Sequence, residues 1–142
     1  MPDVNVLLYA HRVHERAHQL YKKWWADVVN GPQPFALSTL VAVGFVRIVT
    51  NAQVFRAPTE LSIALATIDQ IVAHPRCRLL GPESNHWQRV SDLCRKTNAT
   101  GKLVADAQHA AVAIANGCTW VSRDADFAVF APHGLSWKHL AL

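Results

Sequence analysis

Apolar positions along the chain follow two rhythms. Short runs with no polar partner alternate with longer stretches in which apolar residues return every three or four positions. Turn signals separate them at Gly31-Pro32, Ala57-Pro58, Gly81-Pro82, Asn116-Gly117 and Pro132-His133-Gly134. The opening run, residues 1–4, predicts a short strand. Ala17, Leu20, Tyr21, Trp24 and Val28 form one stripe, which predicts an amphipathic helix over 14–29. Residues 35–37 predict a strand, and Ser38 is placed to cap a helix running to about Thr50. Pro58-Thr59-Glu60 opens a further helix that ends near His74-Pro75, with Pro58 in its first turn. Cys77 to Leu80 predicts another strand. Residues 84–97 predict a helix carrying Trp87, Val90, Leu93 and Cys94 on its packed face. Residues 102–116 are apolar around most of a helix circumference and so predict a buried helix. Residues 119–122 read as a buried strand and 135–138 as a last one.

Short strands alternating with longer helices define βα units, hence an α/β fold around a mostly parallel sheet. In such sheets the chemistry lies beyond the carboxyl ends of the strands. The length, 142 residues, suits one domain over 1–142, and 51% hydrophobic residues supply its core. The net charge of +4 is compatible with a polyanionic partner without requiring one. Cys77, Cys94 and Cys118 are odd in number and widely spaced, which argues against a disulfide framework and for a reducing, cytoplasmic setting. No signal peptide is expected, and no apolar run reaches the roughly 18 residues of a membrane span.

The sheet-edge rule directs attention to acids that follow strands. Asp3 ends the first predicted strand. Asp124 and Asp126 follow the strand at 119–122. Asp106 lies within the apolar helix Leu103-Val104-Ala105-Asp106-Ala107. A buried carboxylate without a partner costs several kcal/mol or more, so Asp106 needs a cation, a donor or a proton. Two readings stand for it: a structural acid held by the helix start and Lys102, or a member of a site. Taken singly, Asp124 and Asp126 are ordinary turn residues and Asp3 a polar terminus. Together they converge on one edge, where carboxylates repel one another and invite a hard divalent cation. Magnesium suits such an oxygen shell, and a bound ion there can activate water against a phosphodiester.

A family resemblance follows from the same residues. Asp3-Val4-Asn5-Val6-Leu7-Leu8-Tyr9-Ala10 resembles the opening motif of PIN-domain ribonucleases. Val104-Ala105-Asp106-Ala107 resembles their third acidic motif, and Val121-Ser122-Arg123-Asp124-Ala125-Asp126-Phe127 their closing one. Gly44-Phe45-Val46-Arg47 with Thr50-Asn51 further resembles a branch of the VapC-type toxins of bacterial toxin–antitoxin pairs. The resemblance implies a three-layer α/β/α fold, RNA cleavage dependent on Mg²⁺ with Mn²⁺ as a substitute, and neutralisation by a cognate VapB-type antitoxin. It also implies a homodimer or a complex with the antitoxin, and no membrane association. Asp3, Asp106 and Asp124 would hold metal, Asp126 would support them as part of the catalytic set, Asn5 would orient Asp3, and Ser122 would bond within the site. The family's usual Glu on the helix after the second strand is matched here by Gly44, and no other acid lies in 38–51. The ring is therefore thinner, and one metal or two remain open.

Arg12, Arg47, Arg56 and Lys102 flank the predicted site and are the candidates for RNA phosphate contact. For each, a solvated surface charge is the plainer reading. Trp24 and Trp25 either pack into the domain or line a groove for a partner. Two other functions compete. With Gly44 in place of the acid, a PIN fold that binds RNA or a partner but cleaves weakly is the alternative. His14-Glu15-Arg16-Ala17-His18 is a literal H-E-x-x-H, the signature of a zinc peptidase helix. No third-ligand extension follows it, and both histidines fall at the edge of the apolar stripe, so the zinc reading is set aside.

Overall fold

The computed structural model describes residues 1–13 and 17–141. The first predicted strand contracts to a single parallel bridge between Pro2 and Val121. Asp3 is extended, and its carboxylate accepts the Val4 N–H at 2.6 Å, which caps helix α1 (Val4–His11). That cap ends the strand early. α1 buries Val6, Leu7 and Ala10, and its run of apolar residues carries no polar face to announce a helix.

Helix α2 spans His18–Asn30. The part of the predicted helix at 14–16, and with it most of the H-E-x-x-H stretch, lies outside the described residues. The expected stripe faces inward: Tyr21 is fully buried, and Leu20, Trp24 and Val28 are half-buried. His18 departs from its predicted edge position. It is buried, with Nδ1 2.9 Å from the Tyr9 carbonyl oxygen. Trp24 packs on the cluster formed by Val6, Ala10 and Tyr21, and Trp25 meets Phe35 edge-on at 5.6 Å.

Strand β1 (Phe35–Ser38) is buried throughout, and Ser38 Oγ accepts the Leu40 N–H at 3.2 Å to start helix α3 (Thr39–Val49). Helix α4 (Leu61–Val72) begins after Glu60, so Pro58 precedes it instead of filling its first turn. Strand β2 (Cys77–Leu80) runs parallel to β1, with Phe35 opposite Cys77 and Ser38 opposite Leu80. Helix α5 (His86–Thr97) buries Val90 and Leu93, but Trp87 is 77% exposed. Trp87 shares the spacing of the packed face yet sits in the first turn, outside the stretch that reaches the core.

Helix α6 (Lys102–Ala115) turns Ala107, Ala110, Ala111, Val112 and Ala113 inward, with Asp106 also buried. Strand β3 (Trp120–Ser122) is buried and pairs in parallel with β4 (Trp137–His139), two residues later than the expected start. Between them runs a 3₁₀ segment, Ala125–His133, which the sequence pattern left unassigned; it buries Phe127 and Phe130. Trp120 points into the main core with Phe127, Phe130 and the α6 alanines, whereas Val121 points into the cluster of α1 and α2. The strands thus form two two-stranded parallel sheets, β1–β2 and β3–β4, set among helices, an α/β arrangement in keeping with the expected fold. Among the described residues no helix is long and apolar enough to cross a membrane.

Candidate active site

Parallel pairing sends Asp3 and Ser122 out at the same sheet edge. The Asp3 N–H donates to the Val121 carbonyl at 2.8 Å, which sets the two segments side by side. Ser122 Oγ then donates to Asp3 Oδ2 at 2.6 Å across 119 residues of sequence. Asn5, the second residue of α1, donates to Asp3 Oδ2 at 3.2 Å and reaches Ser122 Oγ at 3.3 Å. Its other amide atom, Oδ1, accepts the Arg123 N–H at 3.4 Å. Asp3 is therefore held by neutral donors on both oxygens, among them Asn5 and Ser122. Burial raises its carboxyl above the ordinary range, and the like charge of Asp106 adds to the rise; the bonds from Ser122 and Val4 and the neighbouring His109 restrain it.

The outer half is ionic. Ser122 Oγ accepts the Asp124 N–H at 2.9 Å, and Asp124 Oδ1 accepts the Asp126 N–H at 3.0 Å, capping the 3₁₀ segment. The Lys102 ammonium stands among the acids. Its Nζ lies 2.5 Å from Asp124, 3.0 Å from Asp106 and 3.9 Å from Asp126. Desolvation pushes Asp124 upward, but Lys102 and the Asp126 N–H outweigh it and leave the carboxyl below its usual range. The bond to Asp124 and the one to Asp106 raise the Lys102 ammonium above its ordinary value, against partial desolvation. Asp126 itself is 69% exposed and stays at the rim.

The basic candidates separate. Lys102 joins the cluster. Arg12 does not: its guanidinium lies 3.7 Å over the Phe55 ring and donates to Thr59 Oγ1 and the Ala57 carbonyl, both at 3.2 Å, fastening the loop before α4. Arg47 and Arg56 are exposed, at the end of α3 and in the following loop, and neither makes an ion pair among the described residues.

Two groups bordering the cluster escaped the sequence reading. His109 lies one helical turn after Asp106, stacked on Trp120 at 5.2 Å with 20° between the planes. Its Nδ1 is buried without a hydrogen-bond partner. Burial lowers its basicity, and the charges of Asp3 and Asp106 pull it back up. The signal was present as the spacing Asp106-x-x-His109, which puts both on one helix face. Arg123 stacks on Tyr9 at 4.2 Å, beside Asp124; nothing in its sequence context marks that pairing.

The acids form the hard-oxygen donor set that magnesium or manganese takes, and the orphaned His109 nitrogen leaves polar capacity beside them. Among the described residues, however, no three His, Cys, Asp or Glu side chains stand in metal-holding geometry. Gly44, where the family's usual acid is missing, lies where α3 approaches α1. A Cβ there would come within 3.0 Å of Val4 Cγ2, next to Asp3. The close approach of the two helices leaves little room for a carboxylate side chain at that position.

Parallel strand pairs set among helices, with acids gathered at one strand end, define a class, and the comparisons agree on it: the chain belongs to the PIN-domain family, whose model matches residues 1–131. Within that family it is similar to the VapC ribonucleases. Ribonuclease VapC43 of Mycobacterium tuberculosis is 39% identical over 137 residues, covering 96% of this chain and 92% of that protein. Ribonuclease VapC31 of the same organism is 35% identical over 129 residues, covering 91% of each chain. The fold matches that of VapBC2 from Rickettsia felis, crystallised with a DNA fragment from its promoter, at a TM-score of 0.68 and 16% identity, over 97% of this chain and 96% of that one.

Proposed function

We propose that this protein is a divalent-metal-dependent endoribonuclease and the toxic partner of a toxin–antitoxin pair, a single domain acting in the cytoplasm. The observation that carries the reading is the gathering of Asp106, Asp124 and Asp126 around one cation, beside a buried Asp3 whose charge feels Asp106. Carboxylates brought this close are costly to fold without a cation beside them. Relatives that are called ribonucleases over nine-tenths of the chain give the substrate class.

In this reading Asp3, Asp106 and Asp124 hold Mg²⁺, or Mn²⁺ in its place. The ion, when bound, activates water and stabilises charge on a phosphodiester. The chain's own residues do the rest. Ser122 and Asn5 fix the Asp3 carboxylate through neutral donors, Asp126 supports Asp124 through its N–H, and Lys102 is the basic side chain best placed to meet an RNA phosphate. Arg47 and Arg56 remain candidates for more distant backbone contact. A VapB-type antitoxin, in a complex that includes toxin dimers, neutralises the activity.

Purified protein incubated with total RNA and Mg²⁺ or Mn²⁺ tests the assignment. Cleavage that is lost in EDTA and in Asp3→Asn is expected, together with growth arrest on expression that antitoxin co-expression relieves. The competing reading, a PIN fold that binds but cuts weakly, draws on Gly44 in place of an acid. RNA binding without metal-dependent cleavage would favour it.

A further inference from the structure

Arg123 follows Ser122 at the carboxyl end of β3, and its backbone is tied on both sides. Its N–H donates to Asn5 Oδ1 on α1 at 3.4 Å, and its carbonyl oxygen lies 3.0 Å from His139 Nε2 on β4. The side chain is seated as well. The guanidinium carbon lies 4.2 Å from the centre of the Tyr9 ring and 5.9 Å from that of Tyr21. The two rings are 5.4 Å apart, and the Tyr21 hydroxyl donates to the Leu140 carbonyl at 2.6 Å. Helices α1 and α2 and the chain after β4 thus build one aromatic seat. A surface arginine ordinarily samples many rotamers, and ordering it weakens binding. Here the fold has already ordered it. Contact with a ring engages the face of a guanidinium and leaves the N–H groups in its plane for other partners. Among the described residues no carboxylate pairs with Arg123. The side chain is half-buried, so part of it meets solvent.

Its side of the site is equally defined. Successive residues of an extended backbone point opposite ways. Val121 packs with α1 and α2, and Arg123 follows on that side. Trp120 packs in the main core, and Asp124 turns to Lys102 at the start of α6. Arg123 and Lys102 therefore flank the acids from opposite sides. Arg12, by contrast, is taken up by the loop before α4.

We propose that Arg123, seated on Tyr9 and Tyr21, is a phosphate-binding residue of the RNA path: it grips the strand on the α1–α2 side of the acids, while Lys102 faces it on the α6 side. The RNA substrate is taken from the function proposed above. On this arrangement the strand crosses the ends of β3 and β4 and does not run along α3 toward Arg47 and Arg56. Tyr9 is a positioning residue, acting through the guanidinium it carries. The planar fork of Arg123 matches two phosphate oxygens, which an ammonium cannot do. Phosphate contacts carry no sequence information, so Arg123 fixes the register of the strand and leaves the choice of cleavage point to base contacts.

A fluorescently labelled single-stranded oligoribonucleotide, titrated with the full chain in EDTA, measures binding apart from cleavage. Arg123→Met keeps an apolar stem on the tyrosines and removes the charge. It is expected to bind about five- to tenfold more weakly at low salt, and the slope of log affinity against log salt is expected to fall by about 0.7. Arg123→Lys keeps the charge and loses the fork; it is expected to recover the slope but not the full affinity. Tyr9→Leu removes the seat and leaves the charge. It is expected to weaken binding about two- to fivefold with the slope unchanged, which a purely structural contact would not do in a variant folded by circular dichroism. Lys23→Met, on the open surface of α2, is expected to stay within about twofold of wild type. A readout on the unaltered chain guards against a variant that fails to fold: RNA is expected to slow modification of Arg123 by phenylglyoxal, followed by mass spectrometry. Wild-type affinity and slope in Arg123→Met, modification of Arg123 indifferent to RNA, or no RNA binding by the wild-type chain overturns the assignment of Arg123. Wild-type affinity in Tyr9→Leu overturns the positioning role of Tyr9. Absence of cleavage with Mg²⁺ or Mn²⁺, while Arg123 still governs binding, overturns the ribonuclease reading alone.

Discussion

Asp3 and Asp124 leave the same sheet edge on neighbouring chain segments, yet their surroundings are opposite. Asp3 is buried among neutral donors, Ser122 and Asn5, and its carboxyl is raised. Asp124 sits at the rim against an ammonium, and its carboxyl is lowered. Ser122 joins the two, donating to one and accepting from the backbone of the other. The inner half is thus held in shape by the fold without a cation. The outer half is held by the Lys102 ammonium. One carboxylate is thus held rigid while the other opens to solvent.

Breaking the inner half should cost most. Asp3→Asn is expected to reduce RNA cleavage by more than the roughly 100-fold that loss of a supporting group produces, with the fold retained by circular dichroism. Ser122→Ala removes the joint between the halves and is expected to cost about 10- to 100-fold in cleavage. Asp126→Asn should matter less, under about tenfold, because its side chain is exposed and its N–H, which caps the segment, is untouched.

Acid and base should separate the halves in the metal-free protein. The folded state holds the Asp3 proton more tightly than the unfolded chain does. Its contribution is therefore greatest below the unfolded carboxylate value of about 3.9, and is lost as pH rises through the raised folded value. Asp124 runs the other way: its contribution is present above about 3.9 and is lost as pH falls through the lowered folded value. Urea midpoints in EDTA should show it. Asp3→Asn is expected to remove a loss on the rising side, and Asp124→Asn one on the acid side. Matching profiles for the two variants would erase the contrast.

Gly44→Ala should have the smallest effect. A helix gains up to about 1 kcal/mol from the replacement, while crowding against Val4 costs about 1–3 kcal/mol, so a net loss of up to about 2 kcal/mol is expected in urea unfolding. The displaced Val4 would shift the N–H that the Asp3 carboxylate accepts, so a small fall in cleavage should accompany it.

Much of this was legible in the chain because the signals were local. Ser38 reads as a cap and acts as one. The spacing of Lys102 and Asp106 announces their ion pair, which the structure contains. Helix α1 was hidden because it is buried and so lacks a polar face, and its cap, Asp3, is also the site acid. The 3₁₀ segment was hidden because its two buried phenylalanines, Phe127 and Phe130, sit among turn-like residues. The reach of Lys102 to Asp124 spans 22 residues and two elements, and no short pattern encodes it. Trp87 shows the reverse error: its spacing promised burial, and position in the first turn denied it.

The bond between Ser122 and Asp3 joins residues 119 positions apart. A ribosome reads them in that order. Until residues 119–126 have emerged, Asp3 has no partner strand, Asp124 and Asp126 do not exist, and Lys102 has only Asp106 to hold. For a protein proposed to cut RNA, the interval matters, because it is made from RNA by a machine of RNA. The proposed site is complete only once the last strands have been made, so on this reading a nascent chain lacks it for most of its synthesis.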